Sequence, residues 1–243
     1  MKLSTILLSL LLPLTAFGQF STTNFSIQAG YQVKNLNPRA LNFVINRYNA
    51  NRTNESLQLG TFRWTSGLFF AGSIKRGRTE FRLSVMTNRA QQTGIAPDSM
   101  GVSQRRDLRL SGLRYGIGFV SELIPIGDYV SINVGAQLTL NTLEVETAEV
   151  PESSFDVNAE LNLIEDYLNP SFTIQAPIRI KPTEQFHISI EPYYQLYFGP
   201  TSFQSTNQAI NPRTFAADPV TSVEQDLDHL GFNLVAIFYF RRP

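Results

Sequence analysis

The chain has 243 residues, with 20 basic and 20 acidic side chains, so its formal net charge at pH 7 is zero. Without an excess of positive charge it is a poor nucleic-acid binder, and we expect no nucleic-acid partner. It contains no cysteine, which excludes disulfides, thiolate metal sites and cysteine nucleophiles.

The first 18 residues are typical of a secretory signal peptide. Lys2 supplies a positive charge, residues 6–14 form an apolar run, and Ala16-Phe17-Gly18 is a small-x-small cleavage site. The apolar run is shorter than the ~20 residues of a membrane-spanning helix. We therefore predict that residues 1–18 are a signal peptide and that residues 19–243 form one β-barrel domain.

Eight later segments alternate apolar and polar residues with the period of two that is typical of β-strands. The fifth is the most regular, with apolar residues at every even position from Val130 to Leu140. The predicted strands are 24–34, 58–75, 79–89, 107–121, 129–141, 171–181, 185–199 and 226–241.

The fourth predicted strand changes phase along its length. Leu108 and Leu110 are at even positions, whereas the apolar residues from Leu113 onwards are at odd positions. Because an extra residue in a strand produces such a change, we predict a β-bulge near Ser111-Gly112.

The last predicted strand is strongly apolar, with Phe232, Leu234, Phe238 and Phe240 on one face. An exposed apolar edge strand promotes aggregation, and pairing it with the first strand removes the edge. We therefore predict an all-β fold: an eight-stranded antiparallel up-and-down transmembrane β-barrel, closed by its first and last strands.

The connections alternate between short ones (75–78, 121–128, 181–184) and long ones (35–57, 90–106, 142–170, 200–225). Short periplasmic turns and long extracellular loops are typical of outer-membrane barrels. The polar strand faces carry few of the charges that a water-facing surface normally has, which places them inside the barrel. A secreted lipocalin-like ligand-binding barrel, with its apolar faces inside, is the alternative.

Aromatic residues near the strand ends predict two interfacial girdles. The predicted extracellular rim contains Tyr31, Phe62, Trp64, Tyr194 and Phe198, and the periplasmic rim contains Phe25, Phe81, Tyr129, Phe186, Phe238 and Phe240.

With these strands, the chain resembles the small eight-stranded outer-membrane β-barrels, such as the transmembrane domain of outer-membrane protein A and its short relatives. The resemblance covers residues 19–240, and the closing strand 232–240 is similar to the aromatic-ended signal that the barrel-assembly machinery recognises. It implies an outer-membrane location, with outer-membrane lipids and the assembly machinery as partners. We also expect a protein partner at the extracellular loops.

Charged residues on the polar faces are expected inside the barrel. An eight-stranded barrel has an interior just wide enough for side chains to fill. Arg63, Arg82, Arg114 and Glu191 form the predicted lumen cluster, joined by Glu80 and Arg179. We predict that Arg114 and Glu191 form an ion pair across the lumen, in a barrel that is either plugged or a gated narrow pore.

The two histidines, His187 and His229, are the only candidates for nucleophilic chemistry on lipids. His229 lies near Asp226 and Asp228 at the outer rim, but nothing in the sequence supplies the Ser–His pair that such chemistry requires. We therefore expect no enzyme activity, with a lipid-modifying outer-membrane enzyme as the alternative, and we expect no cofactor or metal.

The first long connection predicts a short helix. Asn37 suits the N-cap and Pro38 the first helical position, and Leu41, Val44, Ile45 and Tyr48 then share one face. We expect this face to pack on the barrel rim; a helix that binds a partner is the alternative.

The third long connection, 142–170, is acidic, whereas the first two are basic through Arg39, Arg47, Arg52, Arg105 and Arg106. Solvated charge is the simplest interpretation. Acidic and basic connections could instead pair over the mouth of the barrel, or the acidic one could hold divalent cations, although no spacing matches a calcium loop.

These features favour a structural or interaction protein of the outer membrane, in which a rigid barrel displays four loops. A narrow porin or small-solute transporter is the first alternative, and the secreted ligand-binding barrel is the second.

Overall fold

The computed structural model describes residues 24–51, 57–97, 102–151, 161–212 and 223–240. The predicted signal peptide lies outside these ranges. No helix within them is long and apolar enough to cross a membrane. The elements are β1 (Asn24–Asn35), α1 (Arg39–Ala50), β2 (Thr65–Arg76), β3 (Thr79–Pro97), β4 (Ser103–Ile126), β5 (Val130–Pro151), β6 (Asn162–Gln175), β7 (Ile178–Ile180), β8 (Phe186–Tyr197), β9 (Thr201–Ser202), α2 (Gln204–Ile210), β10 (Glu224–Gln225) and β11 (His229–Phe240).

Eight antiparallel strands form a closed ring. The ring order is β1, β2, β3, β4, β5, β6 with β7, β8 and β11, and β11 pairs with β1 to close it. At this seam Phe25 lies opposite Phe240, and Asn35 lies opposite Leu230. The predicted eight-stranded up-and-down barrel is therefore confirmed.

Two ends of the barrel can be distinguished. At the turn end, short connections join β2 to β3, β4 to β5 and β7 to β8. At the cap end, the connections contain both helices, and the long strands β3, β4 and β5 continue past the ends of the shorter strands. The strands between the two ends form what we call the band.

In the band, most inward side chains are polar and the outward ones are mainly apolar, although Phe69, Val235 and Ile237 are buried inside. Val134 and Phe238 are 42% and 49% exposed on the outside, whereas Gln137 and Asn233 are buried inside. The closing-strand residues Phe232, Leu234, Phe238 and Phe240 all lie on the outward face. Among the described residues of the band, the interior carries one apolar cluster, made of Phe69, Ala71, Met86, Val235, Ile237 and Tyr239, beside buried polar and charged side chains, and not the continuous apolar interior that a lipocalin-like barrel would need.

Towards the cap end, inside and outside exchange their chemistry. In β4, Leu108 and Leu110 are buried inside, and in β5 Leu143 and Val145 are buried while Glu144 between them is not. We call residues 90–97, 103–110, 143–151 and 162–168 the extension. Its interior is mainly apolar, as in a water-soluble protein, and its exterior is mixed, since Glu149 and Asp166 are exposed there beside Leu163 and Leu168.

The predicted bulge near Ser111-Gly112 is wrong. Pairing of β3 with β4 is continuous from Thr79 opposite Ser121 to Pro97 opposite Ser103, with no inserted residue. The apolar residues change phase because they face inwards in the extension and outwards in the band. The register of β4 with β5 shifts instead between Glu122 and Ile124, near the turn end.

A helical cap closes the barrel over the extension. The predicted face of α1 is buried, with Leu41, Val44, Ile45 and Tyr48 at most 3% exposed. It packs in one cluster with Phe203 and Ile210 of the α2 region and with the apolar interior of the extension. We call the extension, α1 and α2 together the head. The prediction that α1 packs on the barrel is confirmed.

The predicted helix start is wrong by one residue. Pro38 precedes the first helical residue and provides no side-chain cap, while Asn37 has a left-handed φ of 35°, which Asn tolerates better than most residues. The Gln225 side chain replaces the missing cap, because its Oε1 accepts a hydrogen bond from the Ala40 N–H at 2.7 Å. Sequence spacing could not show a cap from a residue so distant in the chain.

The second predicted strand begins too early. Residues 58–64 are not a strand, and β2 begins at Thr65. Two amide side chains of α1 hold this segment. Asn42 exchanges two 2.7 Å hydrogen bonds with the Phe62 backbone, and Asn49 exchanges hydrogen bonds of 2.9 and 3.1 Å with the Leu59 backbone. Phe62 is therefore buried under the helix and is not part of the aromatic rim, whereas Trp64 is 52% exposed.

Candidate functional site: the barrel interior and the head

The central ion pair of the interior joins opposite walls of the barrel. Arg82 on β3 donates two hydrogen bonds to Glu191 on β8, at 2.8 and 3.0 Å. These strands are four positions apart in a ring of eight, so the pair spans the diameter. Both side chains are essentially inaccessible to solvent. The two parallel N–H···O contacts are the strong, directional form of an arginine–carboxylate pair.

A second group lies beside this pair. Glu80 accepts hydrogen bonds from Arg179 at 2.7 Å and from the Tyr239 hydroxyl at 3.0 Å. Its other oxygen accepts a hydrogen bond from the Gln28 amide and lies 3.7 Å from the Arg82 Nε. This level of the interior therefore contains two carboxylates and two guanidinium groups in contact.

Arg114 does not pair with Glu191, and that prediction is wrong. Its guanidinium donates to Gln195 at 2.6 Å and to Gln32 at 3.1 Å, and lies 4.8 Å from the centre of the Tyr193 ring. Among the described residues, no carboxylate forms a salt bridge with it. The stagger between strands decides which inward side chains meet. The sequence shows only that Arg114 and Glu191 both lie near the middle of their strands, and it does not show that stagger.

Three of the four residues of the predicted lumen cluster are inside. Arg82, Arg114 and Glu191 are each at most 1% exposed. Arg63 is exposed and precedes β2, in the segment that α1 holds. The sequence predicts Arg63 in the lumen because the alternating pattern of β2 continues into the preceding residues, which are not a strand.

The histidines are also buried. The His187 ring lies 4.7 Å from the Tyr239 ring, and His229 contacts the carbonyl oxygen of Leu227 through Nδ1 at 2.8 Å. Asp226 and Asp228, the expected neighbours of His229, are exposed. Asp228 accepts a hydrogen bond from the Tyr197 backbone N–H instead.

Acidic and basic connections do meet, as cross-strand pairs in the wall of the extension. Arg106 pairs with Glu149 and Arg109 with Glu146. The predicted contact of Arg106 with the acidic connection is present, but between adjacent strands and not over the mouth. Within the described ranges, no three His, Asp or Glu side chains are grouped to hold a metal; residues 152–160 of the acidic connection lie outside those ranges.

At the turn end, Lys181 donates a 2.6 Å hydrogen bond to Glu122. Glu122 lies level with the turn between β2 and β3, since its N–H donates to the Arg78 carbonyl oxygen. The hydrogen bond and positive charge of Lys181 hold the pKa of the Glu122 carboxyl below its ordinary value. This pair marks where the apolar band ends and water begins.

The geometry defines a class of protein. A closed ring satisfies every strand edge internally, which hydrocarbon requires of any β-structure that crosses it. The ring carries an apolar outer band, a mostly polar interior and exposed aromatic residues such as Tyr31, Trp64 and Tyr129 near its rims. Together these features are those of a transmembrane β-barrel.

No protein-family model matches the sequence, and no curated protein matches it. Among solved structures, Neisserial surface protein A is similar, with 9% identity over 91% of this chain and 98% of its own, at a TM-score of 0.44. Ail, the attachment invasion locus protein of Yersinia pestis, in complex with the heparin analogue sucrose octasulfate, has 12% identity, coverages of 90% and 99%, and a TM-score of 0.37. The N-terminal β-barrel domain of Pseudomonas aeruginosa OprF has 13% identity, coverages of 89% and 97%, and a TM-score of 0.37. Because these scores are below 0.5, the assignment of the fold depends on the chain's own strand pairing.

Proposed function

We propose that the protein is an outer-membrane barrel, closed to solutes, that carries a folded head outside the cell for interaction with a partner. Short turns at one end and long, structured connections at the other support this orientation. The resemblance of the strand pattern to that of small outer-membrane barrels agrees with this orientation.

The Arg82–Glu191 pair is the observation that carries the closed state. It crosses the full diameter of the ring, and Arg114 with its two glutamine partners crosses a second level. Separating the two charges would leave each of them buried without a partner, which is costly, so the pair resists opening of the barrel interior. A structural plug is therefore favoured over a conducting pore.

The head supports a role in interaction. The wall of the extension presents charged residues such as Glu149 and Asp166 to water. The cap anchors this wall through a buried apolar cluster, so the surface is held on a rigid base and not on free loops. Rigid scaffolds that display a surface in this way commonly serve recognition.

Conductance in planar bilayers tests the closed state. We expect purified wild-type protein to show no steady channels, and the double variant Arg82→Ala/Glu191→Ala, which removes the cross-barrel pair, to raise the leak current. Wild-type channels on the nanosiemens scale would contradict the plug and favour the narrow porin.

Epitope tags test the orientation. A tag after Gly199, at the cap end, should be accessible to antibody on intact cells. A tag after Gly77, in a turn where φ is 60°, should be accessible only after the outer membrane is permeabilised. The reverse pattern would place the head inside the cell envelope and remove the proposed role.

A further inference from the structure

Between the Arg82–Glu191 level and the cap, the barrel interior contains positive charge without an acidic partner. Lys34 and Arg114 point into this space and are 3% and 1% exposed. They lie close enough to interact electrostatically. Among the described residues, neither forms a salt bridge, whereas at the level below two carboxylates balance two guanidinium groups.

Three hydrogen-bonding groups around this space have no partner among the described residues. The Lys34 ammonium has no hydrogen bond or ion pair within the part of the chain that the structure describes. The Tyr193 hydroxyl and the Nε2 atom of His229 are buried and have no hydrogen-bond partner among the described residues. Because Nδ1 of His229 donates to the Leu227 carbonyl oxygen, its Nε2 is an acceptor and does not itself contact an anion. Buried polar groups are nearly always satisfied, because each unsatisfied one costs about 1–3 kcal/mol.

Strand pairing brings two of these groups to the same place. Lys34 lies opposite Gly231 across the seam, and Gly231 lies opposite Tyr193 on its other side. Gly231 has no side chain, and the Tyr193 hydroxyl occupies the space above it: a Cβ atom there would lie 2.4 Å from the hydroxyl oxygen. The hydroxyl therefore reaches across the glycine towards the row that contains Lys34.

The surrounding groups complete the enclosure. Arg114 covers one face of the Tyr193 ring, and His229 packs edge-on against that ring at a centroid distance of 6.0 Å. The guanidinium already donates to Gln195, Gln32 and Met86, so it contributes charge to the space and few free donors. The free donors that remain are the Lys34 ammonium and the Tyr193 hydroxyl.

We propose that this space is a buried anion site, and that it binds a small inorganic monoanion of the halide class between Lys34 and Tyr193. A halide accepts hydrogen bonds in any direction, needs little room and offsets part of the charge of Lys34 and Arg114. Two unneutralised cations buried side by side are otherwise strongly unfavourable. The site goes beyond the proposed function, since a closed scaffold needs no bound ion.

Thermal unfolding in matched salts tests the site. The purified barrel is melted in sodium chloride and in sodium gluconate of equal ionic strength, since gluconate is a far larger anion than chloride. A ligand that binds only the folded state raises the folding equilibrium constant tenfold for each tenfold rise in ligand concentration above its dissociation constant. For a domain of this size the midpoint should rise by roughly 3–6 °C per decade of chloride.

Matched variants locate the effect. Lys34→Met keeps the aliphatic stem and removes the charge, and Tyr193→Phe removes one donor; both should abolish or reduce the chloride dependence. Lys75→Met is the control, because Lys75 lies over another interior tyrosine, Tyr239, at the carboxylate level, and it should leave the chloride dependence unchanged. If Lys34→Met does not fold, Tyr193→Phe still tests the site.

Bromide gives a direct view of the same site. Crystals grown with sodium bromide should show an anomalous peak within hydrogen-bond distance of the Lys34 Nζ. Equal midpoints in chloride and gluconate would overturn the proposal, and so would an undiminished chloride effect in both Lys34→Met and Tyr193→Phe. Bromide found only at the protein surface would also overturn it. None of these results bears on bilayer conductance, so the anion site and the closed scaffold can fail independently.

Discussion

Removing one side of the Arg82–Glu191 pair should destabilise the barrel far more than removing both. Arg82→Met leaves Glu191 buried without a hydrogen-bond donor, since Arg82 is the only donor to it among the described residues. Such a loss costs about 3–5 kcal/mol, and we expect the upper part of this range. Glu191→Met should cost about 3 kcal/mol, because Glu80 lies 3.7 Å from the Arg82 Nε and compensates in part. The double variant should be within about 1 kcal/mol of wild type, because no buried charge is left unpaired by the change.

The assay is urea unfolding of the folded barrel in lipid vesicles, followed by the fluorescence of the single tryptophan. Trp64 is half exposed on the outer surface, so its emission changes when it leaves lipid for water. The double-mutant cycle should yield a coupling energy of at least about 3 kcal/mol between the two positions. Arg89→Met, at an exposed arginine of the same strand, is the control and should cost less than about 0.5 kcal/mol. If both single variants cost less than about 1 kcal/mol, or if the double variant costs the sum of the two, the pair does not hold the walls together.

Two further predictions concern the seam and the cap. Gly30→Ala would place a Cβ atom 2.2 Å from the Leu234 carbonyl oxygen on β11, whereas at Gly72 no atom lies within 4 Å of the new Cβ. We therefore expect Gly30→Ala to destabilise the barrel by about 1–3 kcal/mol in the same urea assay, and equal effects of the two substitutions would contradict a tight seam. Asn42→Ala removes both hydrogen bonds to the Phe62 backbone and should speed amide hydrogen exchange at that residue at least tenfold, equivalent to about 1.4 kcal/mol of local stability. The exposed Asn46→Ala on the same helix should leave the exchange rate unchanged, and protection that persists in Asn42→Ala would show that burial alone holds the segment.

The alternation of residue types was sufficient to predict the ring, because one period of two describes every strand of a barrel. The scarcity of charge on the polar faces then placed the apolar faces outwards in the band, and the helical spacing of apolar residues identified the buried face of α1. These features depend only on local geometry, in which the spacing along the chain decides which side chains share a face. The apolar residues of the fifth strand, from Val130 to Leu140, show this most clearly.

The features that the sequence did not predict depend on chain segments meeting in space. The phase change at Leu108 and Leu110 has two physical causes that look identical in sequence, an inserted residue or an interior that becomes apolar beyond the membrane. The polar residues that take over the outward positions, such as Glu144 and Glu146 on the next strand, could have distinguished the two. The register shift between Glu122 and Ile124 also had a signal in the sequence, because Leu123 and Ile124 are adjacent apolar residues and interrupt the alternation. Both side chains are exposed in the structure. No signal in the sequence showed that Glu191 pairs with Arg82 and not with Arg114, because this choice depends on the stagger of strands around the ring.

The β1–β11 seam also constrains how the molecule can form. The two strands that close the ring come from opposite ends of the chain, so seven of the eight strands can be synthesised and still leave two unpaired edges. Joining such distant segments makes the last pairing a slow step for this topology, although the entropy of closing a long loop grows only with the logarithm of its length. The same adjacency should make the barrel tolerant of circular permutation: a short linker between the two ends, with new termini cut at the turn after Ile126, would preserve every strand contact while changing which strand is made last.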